Sequence, residues 1–163
     1  MIINLKKKYI RFNNYKIKCA IGKSGIKKNK KEGDKSTPKG KFRLNYVLYR
    51  SDRIKKVSTE LKKMIIRKKM GWCDDPKSTK YNKLVKFPFK FGAEKIYIKE
   101  NIYDIIIVIN YNMKPIIPYK GSAIFLHLAK KNYSSTKGCI AISRRDMGLL
   151  LSKIKKKTYL NII

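Results

Sequence analysis

Acid is scarce in this chain. Ten Asp and Glu stand against 42 Lys and Arg in 163 residues, which leaves a net charge of +32. Histidine occurs once, tryptophan once and cysteine three times. Each shortage excludes something. A single histidine with cysteines at 19, 73 and 139 fits neither a zinc-ligand spacing nor a disulfide framework, so three free thiols and no metal or other cofactor are expected. No uncharged run approaches the ~18 residues of a spanning helix, and the longest, Ile105 to Met113 and Gly121 to Ala129, fall far short. No membrane span is expected. The opening Met1-Ile2-Ile3-Asn4-Leu5 meets Lys6-Lys7-Lys8 at once, too short an apolar stretch for a signal peptide. The chain therefore reads as cytoplasmic, with periplasm or cell envelope left to export by some other route.

What is present is lysine. Of the 42 basic residues 35 are Lys and 7 are Arg, whereas specific nucleic-acid readers lean on the planar, bidentate guanidinium. Lys, Ile, Asn and Tyr make up half the chain, and all four have A/T-rich codons, so composition alone can raise the charge. Lys is also dispersed, in runs such as Lys27 to Lys31 and Lys153 to Lys157, which suits a solvated surface. No specific nucleic-acid partner is expected; a basic nucleic-acid-binding module using the charge and eleven tyrosines stays as the rival from another class. An apolar fraction of 43% is enough for a packed core and excludes a disordered chain.

No repeat, Gly/Ser linker or composition break interrupts the chain, so residues 1–163 read as one domain. Segments rich in Ile, Val, Tyr and Phe dominate: Lys8 to Phe12, Tyr15 to Ile21, Lys41 to Tyr49, Lys95 to Ile98, Tyr103 to Tyr111, Ala123 to Leu128, Cys139 to Ser143 and Thr158 to Ile162. These are strand signals. One helix is expected from about Arg144 to Ile154, capped by Ser143, with Met147, Leu150, Leu151 and Ile154 at helical spacing. Many short strands with one late helix predict a mostly β fold, a sandwich or closed sheet, since an open sheet leaves a wet face and bare edges.

Common catalytic signatures are missing. Gly22-Lys23-Ser24 looks like the end of a phosphate-binding loop, but that pattern needs glycine where Ile17 stands. No G-x-S-x-G elbow occurs. What remains is the only histidine, His127, at the end of an apolar strand, and Cys139 twelve residues later behind Gly138. A Cys–His pair makes a nucleophile because imidazole takes the thiol proton. Gly138 lets the backbone turn tightly enough for its N–H and that of Cys139 to face a developing oxyanion. Spacing alone leaves a second reading open, a buried inert thiol beside a core histidine.

Five segments then combine. Gly33-Asp34-x-x-Thr37-Pro38-x-Gly40-x-Phe42, Gly71-Trp72-Cys73-Asp74-Asp75-Pro76, Tyr81-Asn82, Gly121-Ser122-Ala123-Ile124-Phe125-Leu126-His127 and Thr136-x-Gly138-Cys139-Ile140-Ala141 resemble, in that order, the L,D-transpeptidase catalytic (YkuD-type) domain in its compact form, over about residues 15 to 155. The resemblance implies a cysteine acyltransferase acting on peptidoglycan stem peptides. Cys139 attacks the amide between the L-centre of residue three and D-Ala, D-Ala leaves, and the acyl group stays on sulfur. An amine acceptor gives transpeptidation, whereas water gives L,D-carboxypeptidation of recycled muropeptides. The resemblance also implies His127 as base, the Leu128 carbonyl as the group orienting it, and Gly138 as an oxyanion donor. Lys137 and Ala141 depart from the family's commonest pattern, and the interval from His127 to Cys139 is short.

Further residues are expected at the substrate. Ser135 and Thr136 stand four and three residues before the cysteine. Trp72, Asp74 and Asp75 either cap and salt-bridge or bind the ammonium of a diaminopimelate side chain. Arg144 either pairs a substrate carboxylate or stands exposed at the helix start. Thr37-Pro38-Lys39-Gly40 reads first as a turn, and Cys19 and Cys73 as structural.

Overall fold

A computed structural model describes residues 1–163. Alternation of apolar and polar side chains produces the first three strands. β1 (Ile2–Lys6) buries Ile3 and Leu5, β2 (Tyr9–Phe12) buries Ile10 and Phe12, and β3 (Tyr15–Ala20) buries Ile17 and Cys19, while the intervening Lys, Arg and Tyr face water. The strands that follow are β4 (Ile26–Lys27), β5 (Thr37–Pro38), β6 (Gly40–Tyr49), β7 (Lys62–Ile65), β8 (Met70–Cys73), β9 (Leu84–Lys86) and β10 (Ala93–Lys95). Then come β11 (Ile105–Ile109), β12 (Phe125–Leu128), β13 (Ile140–Ile142), the helix α1 (Arg144–Lys153) and β14 (Tyr159–Ile162).

Nine strands form one sheet in the order β11-β12-β13-β3-β2-β1-β14-β6-β7, and pairing of β11 with β6 closes it. The long β6 makes closure possible by dividing its partners: Gly40 to Arg43 pair with β14, and Leu44 to Tyr49 with β11. The fold is mostly β with a closed sheet and a single α-helix, as the sequence predicts. The helix ends one residue earlier than expected, because Ile154 is already extended. Ser143 caps its start, accepting the Asp146 N–H at 3.0 Å.

Two apolar clusters result from the two faces of the central strands. The larger lies within the closed sheet and takes alternate residues of the strands with Met147, Leu150 and Leu151 of α1. The smaller sits outside β6, β11 and β12, beneath a three-stranded sheet ordered β10-β8-β9, and includes Trp72, Ile106, Val108 and Phe125. With a cluster on each side, β11 is buried at every position and reads as an unbroken Ile/Val run rather than an alternation.

Two expected strands are displaced. Pairing with β8 is made by Ala93 to Lys95, ahead of the expected Lys95 to Ile98, and Ile96 drops into the smaller cluster after the strand ends. Tyr103 closes a 3-10 turn, Asn101–Tyr103, before β11 starts at Ile105. The strands β7, β8 and β9 have no local signal. Lys62-Lys63-Met64-Ile65 is strand because the edge of β6 lies alongside it in parallel. No helix is long and apolar enough to cross a membrane.

Candidate active site

The site grows from strand alternation. Along β12, Leu126 and Leu128 enter the larger cluster while Phe125 and His127 point the other way. The neighbouring β13 is parallel, with Leu126 opposite Ile140 and His127 opposite Ala141. Ile140 and Ile142 therefore join the larger cluster, and Cys139 and Ala141 share the face of His127. Parallel neighbours need a long connection, and residues 129–139 supply it. That connection brings Ser135, Thr136 and Gly138 to the cavity of about 760 Å³ into which Cys139 and His127 open.

His127 is buried and held on two sides. Its Nδ1 lies 2.9 Å from the Leu128 carbonyl oxygen. A carbonyl only accepts, so in the neutral ring Nδ1 carries the hydrogen and Nε2 keeps its lone pair. The Tyr103 ring meets the imidazole edge to face, 5.3 Å between centroids at 90°. Burial lowers the imidazole to about 4, with the Leu128 hydrogen bond opposing. The Cys139 thiol donates to the Ala123 carbonyl at 3.1 Å and accepts the Phe125 N–H at 3.4 Å. Burial pushes this thiol up to about 12, the Glu94 charge adds to the rise, and the Phe125 N–H and Lys30 oppose it. At neutral pH the pair is a thiol and a neutral imidazole, not a preformed ion pair.

The backbone at Cys139 is built by conserving space and hydrogen bonds. Gly138 has φ +142°, and a Cβ there would lie 2.9 Å from the Ser36 carbonyl oxygen, so no other residue fits. Thr37 is wholly buried and acts as a clamp: its Oγ1 accepts the Gly22 N–H and donates to the Gly138 carbonyl, both at 2.9 Å. Thr136 closes the turn, its hydroxyl donating to the Cys139 carbonyl at 2.6 Å and accepting the Gly138 N–H at 3.1 Å. Of the two expected oxyanion donors, Gly138 N–H is thus engaged by Thr136, and Cys139 N–H alone has no intramolecular partner.

Other expected residues separate. Trp72 does not reach the cavity. It is 1% exposed, meets Phe125 edge to face at 5.0 Å and donates to Asn82 Oδ1 at 2.9 Å. That same oxygen accepts the Ala123 N–H at 3.1 Å, so Trp72 and Asn82 position the residue whose carbonyl receives the thiol hydrogen. Asp75 caps a turn through the Lys77 N–H at 2.9 Å. Arg144 also lies outside the cavity lining and pairs with the buried Asp104, which Arg53 contacts at 2.9 Å. A carboxylate taken out of water needs such compensation, and the two guanidiniums supply it. Asp74 alone of this group faces the cavity.

Four cavity residues are absent from the expected site: Lys30, Glu94, Tyr103 and Ser122, of which only Ser122 lies in one of the five family segments. Each comes from a different segment and only the closed fold assembles them. The Tyr103 hydroxyl donates to Glu94 Oε1 at 2.6 Å, and Lys30 Nζ pairs with Asp34 Oδ1 at 2.7 Å. Burial raises the Glu94 carboxyl, the Tyr103 hydroxyl opposes, and the charge of Asp74 adds to the rise. Asp74 stands exposed at the rim, and partial loss of solvent raises it too, helped by Glu32 and Asp75. Asp34 goes the other way, because hydrogen bonds from Lys30, the Lys31 N–H and Ser36 outweigh its burial.

Residues 1–162 match the model of the YkuD family, described as the L,D-transpeptidase catalytic domain. No curated protein matches the chain. A family match across nearly every residue, joined to a closed β fold, means that this chain belongs to the L,D-transpeptidase family of enzymes, which act on peptidoglycan.

Proposed function

We propose that Cys139 is the nucleophile of an acyl transfer from peptidoglycan stem peptides and that His127 is its base. Sγ attacks the carbonyl carbon between residue three and D-Ala as Nε2 takes the thiol proton. The oxyanion meets the Cys139 N–H, joined by Gly138 N–H once Thr136 releases it. Collapse of the intermediate breaks the amide, His127 returns the proton to the amine of D-Ala, and a thioester remains. An acceptor amine attacks next, His127 takes its proton, and the thiol is restored as the new amide forms. The Leu128 carbonyl steadies the imidazolium between these transfers. Ser135 and Thr136 line the approach, and Asp74 faces the donor peptide.

The observation that carries this reading is the common face of β12 and β13, which opens the chain's only imidazole and one of its three thiols into a single cavity. Both groups rest neutral, so the thiol is deprotonated during attack rather than beforehand. Replacing Cys139 by Ala is expected to abolish D-Ala release from a disaccharide tetrapeptide, with circular dichroism unchanged. Undiminished turnover overturns the reading. Mass spectrometry with excess D-amino acid identifies the acceptor: a mass-shifted tetrapeptide means amine transfer, and tripeptide alone means hydrolysis.

A further inference from the structure

We propose that Glu32, Asp74 and Glu94 form a cation subsite beside Cys139, which holds a protonated amine on the side chain of the acyl-donor residue, with Ser122 as a fourth polar partner. The proposal rests on reading Cys139 as the acylated nucleophile. Its first support is where the scarce acids gather. Only ten acids face 42 basic residues, yet three carboxylates from segments far apart in sequence line one cavity. None of the three has a salt-bridge partner, while Asp34, Asp52, Glu60 and Asp104 all do.

Their neighbours do not neutralise them. Glu32 accepts the Tyr81 hydroxyl at 2.5 Å and Glu94 the Tyr103 hydroxyl, hydrogen bonds that orient the carboxylates without cancelling charge. Four lysines line the same cavity: Lys30 is held by Asp34 at 2.7 Å, and Lys35 and Lys130 stand exposed without an ion pair to any of the three acids. Lys137 acts on Asp74 and Glu94 through its charge without forming an ion pair with either. Like charges gathered this way repel one another, and a ligand cation relieves that repulsion.

A second observation is independent of charge. Ser122 Oγ is the one buried side-chain nitrogen or oxygen of the protein without a hydrogen-bond partner. Ser122 is 6% exposed and lines this cavity. Its polar neighbour is the Tyr81 hydroxyl, which already donates to Glu32 and accepts the Gly121 N–H, so Ser122 approaches it without a well-formed hydrogen bond. A buried hydroxyl without a well-formed partner, lining the same cavity as three carboxylates, matches the hydrogen-bonding needs of an ammonium group.

Chemistry selects which amine is held. Carboxylates favour the protonated form, whereas an acceptor amine must be neutral to attack the thioester. The subsite therefore suits an amine that takes no part in the reaction, one carried by the donor. Binding it also offsets the Glu94 charge that raises the Cys139 thiol, which eases loss of the thiol proton.

The test compares two tetrapeptide donors, one with lysine and one with Nε-acetyl-lysine at the residue whose carbonyl is transferred. Calorimetric titration of the full chain carrying Cys139→Ala is expected to show the lysine donor bound roughly tenfold tighter, the worth of about one charge-assisted hydrogen bond. Asp74→Asn and Glu94→Gln, each added to that protein, are expected to erase most of this preference, weakening the lysine donor far more than the acetylated one. Asp74 is exposed at the rim, so its variant keeps the fold even where the Glu94 variant does not. Equal binding of both donors, or a preference untouched by Asp74→Asn and Glu94→Gln, overturns the subsite. Failure of the unaltered protein to form a thioester with either donor removes Cys139 as nucleophile instead, and the binding comparison still decides the subsite.

Discussion

His127 is the only imidazole in the chain, which makes its environment directly measurable. Buried under Tyr103 and tied to the Leu128 carbonyl, it titrates at about 4 instead of 6.5. A single imidazole Cε1–H resonance in the folded protein is expected to shift near that value; a midpoint near 6.5 contradicts the burial. Stability follows with a definite sign. Above 6.5 both folded and unfolded chains hold a neutral ring, so nothing is lost. As pH falls toward 4 the unfolded chain takes up the proton first, and folding weakens by up to about 3 kcal/mol. His127→Gln, with no group to titrate, flattens this interval in urea titrations. The same residue-scale view explains Trp72: an aromatic beside two acids suggests a binding surface, yet burying a large ring under Phe125 is worth more than exposing it.

Among the elements, the short strands show best how local sequence and tertiary pairing divide the work. β5 is only Thr37–Pro38, yet its Thr37 hydroxyl joins Gly22 to Gly138 across the fold. Thr37→Val leaves a buried N–H and a buried carbonyl unpaired, an expected loss of about 1–3 kcal/mol with lowered turnover. Thr37→Ser is expected to recover most of both. Equal chemical-denaturation midpoints for Thr37→Val and the unaltered protein count against the clamp. Locally Thr37-Pro38-Lys39-Gly40 reads first as a turn and second as a substrate-lining loop, and neither reading reveals the clamp, because the partner at Gly138 lies about a hundred residues away. Strands with their own alternation, β1 aside, were legible: β2, β3, β6, β12 and β14 fall within or close to the expected segments. β7, β8 and β9 were not, because Lys-rich and Gly-containing stretches become strand only against an edge already in place.

At the scale of the whole molecule the charge of +32 acts in two opposing directions. Self-repulsion destabilises the compact state, and added salt screens it over a Debye length of about 10 Å at 0.1 M. Tm is expected to rise between about 10 and 200 mM NaCl, as read by differential scanning calorimetry. The same salt weakens attraction of carboxylate-bearing wall fragments, so kcat/KM for them falls as Tm climbs. A Tm that drops over this range shows that specific ion pairs outweigh the general repulsion. Lys35, Lys130 and Lys137 are exposed where they line the cavity, while three of the few acids are gathered in it. The surface thus draws anions toward a site that has a local place for a cation.

The sequence by itself determined the class of fold, because period-two alternation of Ile, Tyr and Lys admits little besides strands, and one 3.6-period segment admits one helix. It also singled out Cys139, His127 and Gly138, since a chain with one histidine and three cysteines offers few nucleophilic pairs. Asp74 was also among the expected substrate residues, but tertiary structure alone decided which of those stay at the site and what joins them. Glu32, Asp74, Glu94, Tyr103 and Ser122 are scattered over ninety residues and meet only when β11 closes on β6 and the β10-β8-β9 sheet covers its outer face. The physical reason is that backbone pairing follows local pattern, whereas a cavity belongs to the space between elements and to no segment of the chain.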